Sequence, residues 1–249
     1  MSHTSCFFMA SLLSLMMLNG QAYASTTPHV SAPVFQDETD SLPDLALFQK
    51  ALFISGNDTL PYRILFPENY DANKKYPLVL LLHGAGERGN NNDKQLVHGG
   101  SLFLKSENRK AYPCIVLVPQ CPAASFWASA SFDRSKNPPG RIFDYNNKLT
   151  KGMELAMALT RRTIKSGAVD KHRVYITGLS MGGMGTFEAV GRWPKMFAAA
   201  APICGGGDVK AYNKKSAKVP FWIFHGTVDH VVPPQFSRDM YARLQALNA

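Results

Sequence analysis

Ser180 lies in the run Gly178-Leu179-Ser180-Met181-Gly182. The apolar residues Val174, Tyr175 and Ile176 precede it, and Met184, Phe187 and Val190 follow at helical spacing. A serine between a strand and a helix, flanked by glycines, is the pattern of a nucleophile elbow. In so tight a turn, a side chain at the flanking positions would strike the neighbouring strand or helix. The hydroxyl is lifted to the start of the helix, where free backbone N–H groups can stabilise an oxyanion. The five-residue pattern alone is weak, since with 19 glycines in 249 residues chance supplies it in roughly one such chain in ten. The strand–turn–helix context gives it weight.

A serine hydroxyl is a poor nucleophile until a histidine takes its proton and an acid orients that histidine. In folds that carry this elbow the acid follows the serine and the histidine comes last. Asp229 follows the next strand but one, in a loop at the sheet's carboxyl edge, and is the expected acid. The bland alternative is that it caps the helix region after it. None of the seven histidines is an obvious base. His3 and His29 belong to the N-terminal segments. His83 and His225 each precede a glycine at a strand end, where shaping a loop is their expected role. His98 lies in the segment after a Gly-rich loop, and His172 at the far end of the elbow strand. His230 adjoins Asp229, and adjacent residues seldom reach the geometry of a base held by that same acid.

The elements that must position these residues alternate between strand and helix. Phe48–Ile54 and Leu60–Phe66 read as a hairpin. Tyr76–Leu82 is an apolar run, as in a strand buried on both faces, and ends in His83-Gly84-Ala85-Gly86. Leu96–Leu104 is weakly helical. Cys114–Val118 is a strand ending in Pro119-Gln120-Cys121-Pro122. Ala123–Arg141 reads as a long loop carrying Phe126, Trp127 and Phe132, aromatics that either meet a substrate or cap the core. Lys148–Lys165 has Leu149, Met153, Ala156, Thr160 and Ile164 along one side of a helix. After the elbow come strands at Phe197–Cys204 and Val219–Phe224, then a helix marked by Phe236, Met240, Leu244 and Leu247. Such alternation implies an α/β fold with a mostly parallel sheet.

Taken together, LPYRILFPENYD (60–71), YPLVLLLHGAGERG (76–89), VPQCP (118–122), RVYITGLSMGGMGTFE (173–188), PICGGGD (202–208) and FHGTVDHVVP (224–233) resemble the α/β-hydrolase superfamily. The likeness is to its esterase and predicted-peptidase branch, related to dienelactone hydrolases, prolyl oligopeptidase-like domains and feruloyl-type carbohydrate esterases. It runs from about Phe48 to the end. The resemblance implies Ser180 as nucleophile, Asp229 as triad acid, and an oxyanion hole made by the N–H groups of Ala85 and Met181. Gln120 and Trp127 are the expected substrate contacts. The family's catalytic histidine follows one more strand, which this sequence does not contain. The expectation is therefore an α/β-hydrolase fold, C-terminally incomplete, with helices on both faces and apolar surface exposed on the inner side of the last helix.

Composition bounds the rest. With 45% hydrophobic and 18% charged residues, the chain can bury one sizeable core. The formal charge is +9, but the basic residues are scattered rather than clustered with aromatics, which argues against nucleic-acid binding. Met1–Ala24 reads as a secretory signal with Ala22-Tyr23-Ala24 at its end, although Lys and Arg are absent from its start. Residues 25–47 read as a leader and 48–249 as the hydrolase domain. No lipid-anchor motif precedes the cut, and no later run is long enough to span a bilayer. Export implies a secreted or periplasmic protein. Cys114, Cys121 and Cys204 would remain, with no zinc-type spacing. Neither a cofactor nor a metal is expected, and oligomeric state is not legible. The reading is a serine esterase acting on small-molecule or polysaccharide-linked esters, such as acetyl or feruloyl esters. The alternatives are a serine peptidase for short peptides and a non-catalytic binding protein.

Overall fold

The structure, a computed structural model, describes residues 45–133 and 140–249, with the side chains of Phe132 and Asp133 outside the description. The signal segment and nearly all of the leader lie outside the described residues.

Six strands form the main sheet in the order β1-β2-β4-β3-β7-β8. The hairpin is β1 (Gln49–Ser55) and β2 (Asp58–Leu65), antiparallel through Phe53 and Leu60. β2 pairs antiparallel with β4 (Ile115–Pro119). From β4 onward the sheet is parallel, through β3 (Tyr76–Leu82), β7 (Val169–Leu179) and β8 (Ala199–Ile203). β3 is buried along its whole length. Leu78, Leu80 and Leu82 enter one core, and Val79 and Leu81 the other. That is the two-residue alternation of a strand covered on both faces.

On the first face lie α2 (Lys151–Lys165) and α3 (Met181–Arg192). α2 starts where Thr150 Oγ1 accepts a hydrogen bond from the Met153 N–H, satisfying one of the helix's orphan donors. Met153, Ala156 and Thr160 are fully buried, the side expected from their spacing. The second face is covered differently. The weak helix expected over 96–104 is two 3₁₀ turns, Lys94–Leu96 and Ser101–Leu104, followed by the short helix α1 (Ser106–Ala111). Leu96, Leu102, Phe103 and Leu104 cover the core there without the length of a regular helix.

Two further expectations change. The long loop contains an antiparallel ribbon, β5 (Ala130–Asp133) with β6 (Gly140–Phe143). Val219–Phe224 is not a continuous strand: it runs parallel to β8 through bridges at Ala200–Phe221 and Ile203–Phe224. Pro220 lacks an N–H to donate, and among the described residues no strand pairs on its outer side. The last helix, α4 (Gln235–Ala246), does not bare its inner face, contrary to expectation. Met240 and Leu244 are buried with Phe187 and Tyr212. The exposed apolar side chains near this end are Val228, Val231 and Tyr241 instead. No helix among the described residues is long and apolar enough to cross a membrane.

Candidate active site

β7 hands the chain to α3 through one residue, Ser180, whose backbone has φ 56° and ψ −111°. That conformation is strained for a residue with a side chain and persists only where the surroundings impose it. They do so by close approach. A Cβ on Gly178 would lie 2.5 Å from the Gly182 backbone, and one on Gly182 would lie 1.9 Å from the Leu82 carbonyl oxygen. The Ser180 N–H donates to the Ile203 carbonyl at 2.8 Å, tying the turn to β8. Its own carbonyl accepts from Met184 at 3.0 Å and opens α3. Ser180 is half-buried.

Met181 is the first residue of α3, and Ala85 the first of a 3₁₀ turn, Ala85–Glu87, that follows β3. First-turn amides have no partner within their own helix. Two such amides therefore stand at the carboxyl ends of the adjacent strands β3 and β7.

The loops around them are braced from below. His83 is buried; its Nε2 accepts from the Cys121 N–H at 2.9 Å, and its Nδ1 lies 2.6 Å from the Gly84 carbonyl. With Nε2 accepting, Nδ1 carries the proton and donates it to Gly84. Burial lowers the His83 pKa from 6.5 to about 4, so the ring is neutral near neutral pH. The Trp127 indole donates to the His83 carbonyl at 3.0 Å and is fully buried. Trp127 is thus a brace beneath the loop, the core-capping alternative for the aromatics of this stretch. Gln120 is placed in a similar way. It is buried, accepting from the Asn92 N–H at 2.7 Å and donating to Asn91 at 2.8 Å and to the Glu87 carbonyl at 3.0 Å. With its amide spent on three partners, it holds the polar loop 87–92 in place.

Phe126 behaves differently. It is partly buried, and the guanidinium carbons of Arg88 and Arg141 each lie 5.9 Å from its ring centroid. All three line a cavity of about 520 Å³. A second cavity, of about 780 Å³, surrounds His172 and Trp193. His172 is near the start of β7 and Ser180 is at its end, about 26 Å apart at the strand's rise per residue, so this cavity does not serve the serine.

Asp229 sits in the turn after Val219–Phe224. Its Oδ1 accepts from the N–H groups of Val231 (2.8 Å) and Val232 (2.9 Å), while Oδ2 is 3.4 Å from His225 Nε2. Burial raises its pKa, but those N–H groups, the Cys204 thiol and His225 outweigh that and hold it below the usual carboxylate range. His225 also bonds Ser237 Oγ at 2.7 Å and the Val232 carbonyl at 2.8 Å. Among the described residues, no histidine bonds the Ser180 hydroxyl. His98 lies 3.7 Å from Glu87, and His83 and His225 are committed to the loops they shape. Sequence reasoning missed Glu188. It is buried in α3 and accepts from the Ser129 N–H and hydroxyl while pairing with Arg192 at 2.7 Å. Its only sequence signal is a carboxylate within an apolar helix.

Comparison with known proteins agrees with this architecture. A crystal structure of a thermostable esterase superposes with a TM-score of 0.72 at 35% identity, covering 82% of this chain and 53% of that one. A ferulic acid esterase of Anaeromyces mucronatus superposes with a TM-score of 0.55 at 18% identity, over 81% and 79% of the two chains, and shares the fold. A bifunctional acetylxylan esterase/xylanase of Neocallimastix patriciarum is 36% identical over 83 residues, which are 33% of this chain and 12% of that protein. The chain thus spans about half of the esterase it superposes on and a smaller part of the curated relative. The family described as Putative esterase matches residues 55–223, and with its parallel sheet and strand–turn–helix elbow the chain belongs to that esterase family, on the α/β-hydrolase fold.

Proposed function

We propose that this chain is the core of an exported serine esterase that cleaves carboxylic esters through an acyl-enzyme. The observation that carries the reading is Ser180 itself. It is held in a strained turn at the N-terminus of α3, beside a second helical first-turn amide at Ala85. Ser180 attacks the ester carbonyl, its Cβ–Oγ side chain becomes acylated, and the alcohol leaves. The N–H groups of Met181 and Ala85 stabilise the oxyanion, a term usually worth several kcal/mol in acyl transfer. Water then releases the acid. Asp229 orients the base, a histidine.

The substrates in this reading are acetyl or feruloyl esters on polysaccharides, acted on outside the cytoplasm. Residues 1–24 are the export signal, 25–47 the leader and 48–249 the catalytic core. The acetylxylan and ferulic acid esterases that resemble this chain support that substrate class. Phe126 between two guanidinium groups, lining a cavity, suits an aromatic acyl group or a sugar face.

The test is p-nitrophenyl acetate hydrolysis by the chain beside its Ser180→Ala variant, then by a longer chain that carries the next strand and histidine. Ser180-dependent turnover confined to the longer chain is the expected result. Ser180-dependent turnover already present in the 249 residues would place the base within them, at His98 or His230. Turnover indifferent to Ser180 in both would end the serine-esterase reading.

A further inference from the structure

Cys204, His225 and Asp229 come from two stretches, the last two residues being four positions apart. One follows β8, one ends the Val219–Phe224 segment and one sits in the next turn. Their sulfur, nitrogen and oxygen atoms all lie within 4.8 Å of one another, and all three residues are partly accessible. We propose that they form a binding site for a thiophilic divalent cation of the Zn²⁺ type. This goes beyond the esterase reading and meets it at Asp229, whose Oδ2 cannot hold a cation and orient a base at the same moment, so the bound ion would hold the esterase idle.

Thiolate, imidazole and carboxylate together are a donor set that Zn²⁺ favours, with water in the fourth position. Each donor is already anchored by a second group, as ligands in metal sites are. The Gly226 N–H favours the Cys204 thiolate, although burial outweighs it and raises the thiol's pKa. The amides of Val231 and Val232 hold Asp229 Oδ1, which leaves Oδ2 facing the cluster. The Ser237 hydroxyl lies 2.7 Å from His225 Nδ1 and 3.1 Å from the Gly205 carbonyl, so it can meet Nδ1 as donor or acceptor. His225 Nε2 lies 2.8 Å from the Val232 carbonyl, which needs a proton on that nitrogen, and 3.4 Å from Asp229 Oδ2. A metal ion would replace that proton and the thiol proton, with Nδ1 then carrying hydrogen toward Ser237.

Cys204 holds a left-handed backbone, with φ 49°, at the end of β8. A residue with a side chain rarely rests there without something to hold it. Here the Cys204 N–H bonds the Phe224 carbonyl at 2.8 Å, and its thiol meets Asp229. On binding, the thiol proton and any proton on Nε2 pass to solvent, a metal–sulfur bond forms, and no electron is transferred.

The experiment is a Co²⁺ titration of the full chain under reducing conditions, followed by Zn²⁺ competition against a chromophoric chelator. Ser180→Ala protein is titrated alongside. The expected result is one equivalent of Co²⁺ with a sulfur-to-metal charge-transfer band, displaced by Zn²⁺, and identical in Ser180→Ala. Cys204→Ser should abolish the band and weaken Zn²⁺ binding at least about 100-fold. Asp229→Asn should keep the band and weaken binding at least about 10-fold, with circular dichroism showing that both variants are folded. A wild-type spectrum without the band, or a band that survives Cys204→Ser, overturns the site. So does wild-type affinity in Asp229→Asn. Because the readout is metal bound rather than ester cleaved, failure of the esterase reading leaves this result standing.

Discussion

The N–H of Cys121 donates to His83 Nε2 at 2.9 Å, and through that bond the loop after β3 is fixed to the loop after β4. The bond requires a neutral ring with Nε2 free of its proton. Burial supplies that condition by penalising the imidazolium.

A pH dependence of stability follows. His83 titrates near 6.5 when unfolded and at about 4 when folded. Between those values the unfolded chain binds a proton that the folded chain refuses, so stability falls as the pH drops from 6.5 toward 4. At full extent the loss is about 3 kcal/mol. Urea unfolding across that range should show His83→Asn losing less stability than wild type, by up to about that amount in total. Equal slopes in the two proteins would place the acid sensitivity elsewhere.

The elbow makes a second prediction. The missing side chain at Gly182 is a packing requirement, since its Cβ would sit 1.9 Å from the Leu82 carbonyl oxygen, which is backbone and cannot yield. Gly182→Ala should cost more than about 3 kcal/mol and remove Ser180-dependent hydrolysis with it. Gly86 offers the control, because a Cβ there meets nothing within 4 Å. Gly86→Ala should stay within about 1 kcal/mol of wild type. Equal tolerance at both positions would mean that the turn is looser than its contacts imply.

The elbow, the succession of strands along the chain and the turn after the last of them were legible because each is local. Glycine spacing, an apolar run and helical periodicity lie within a few residues of one another. What could not be read depends on partners far along the chain. Whether Trp127 met a substrate or capped the core stayed open because nothing nearby in the sequence shows that its indole reaches the His83 carbonyl. Gln120 looked like a binding residue, although its amide is consumed by residues of the 87–92 loop. The stretch 96–104 gave a weak helical pattern, and the chain there folds as two 3₁₀ turns followed by one short helix, because its apolar residues are spaced for capping a sheet rather than for one helix face. Cys204 showed no zinc spacing, since its neighbours in space, His225 and Asp229, lie beyond an intervening loop and the edge segment.

Gln120 tests the difference between bracing a site and touching a substrate. Gln120→Ala leaves the Asn92 N–H and the Glu87 carbonyl without their partner. The expected cost is about 2 kcal/mol of stability. In a catalytically complete chain, hydrolysis of acetyl and longer-chain esters should fall by the same factor, because a brace does not discriminate between acyl groups. A changed ratio between the two esters would return Gln120 to the substrate pocket.

Glu188 carries the strongest structural prediction. It is the buried carboxylate in α3, and three groups depend on it: the Ser129 N–H, the Ser129 hydroxyl and the Arg192 guanidinium. Ser129 immediately precedes β5, so this single side chain fastens the β5–β6 ribbon to the helix that begins at Ser180. Replacing it with alanine strands the buried Ser129 N–H and takes the ion pair from Arg192, which keeps the Asn147 carbonyl, while the Ser129 hydroxyl keeps the Lys148 carbonyl. Removing one member of a buried pair typically costs about 3–5 kcal/mol, and Glu188→Ala should fall in that range by urea denaturation. Glu188→Gln keeps one acceptor oxygen and the side-chain volume, and should cost less. A double-mutant cycle with Arg192→Leu separates the ion pair from the serine bonds. If the loss is mostly the serine bonds, Glu188→Ala costs nearly the same with or without Arg192. If the ion pair dominates, the cost shrinks in the Arg192→Leu background. A cost under about 1 kcal/mol in the single variant would mean that the ribbon is held to α3 by its apolar contacts and not by this carboxylate.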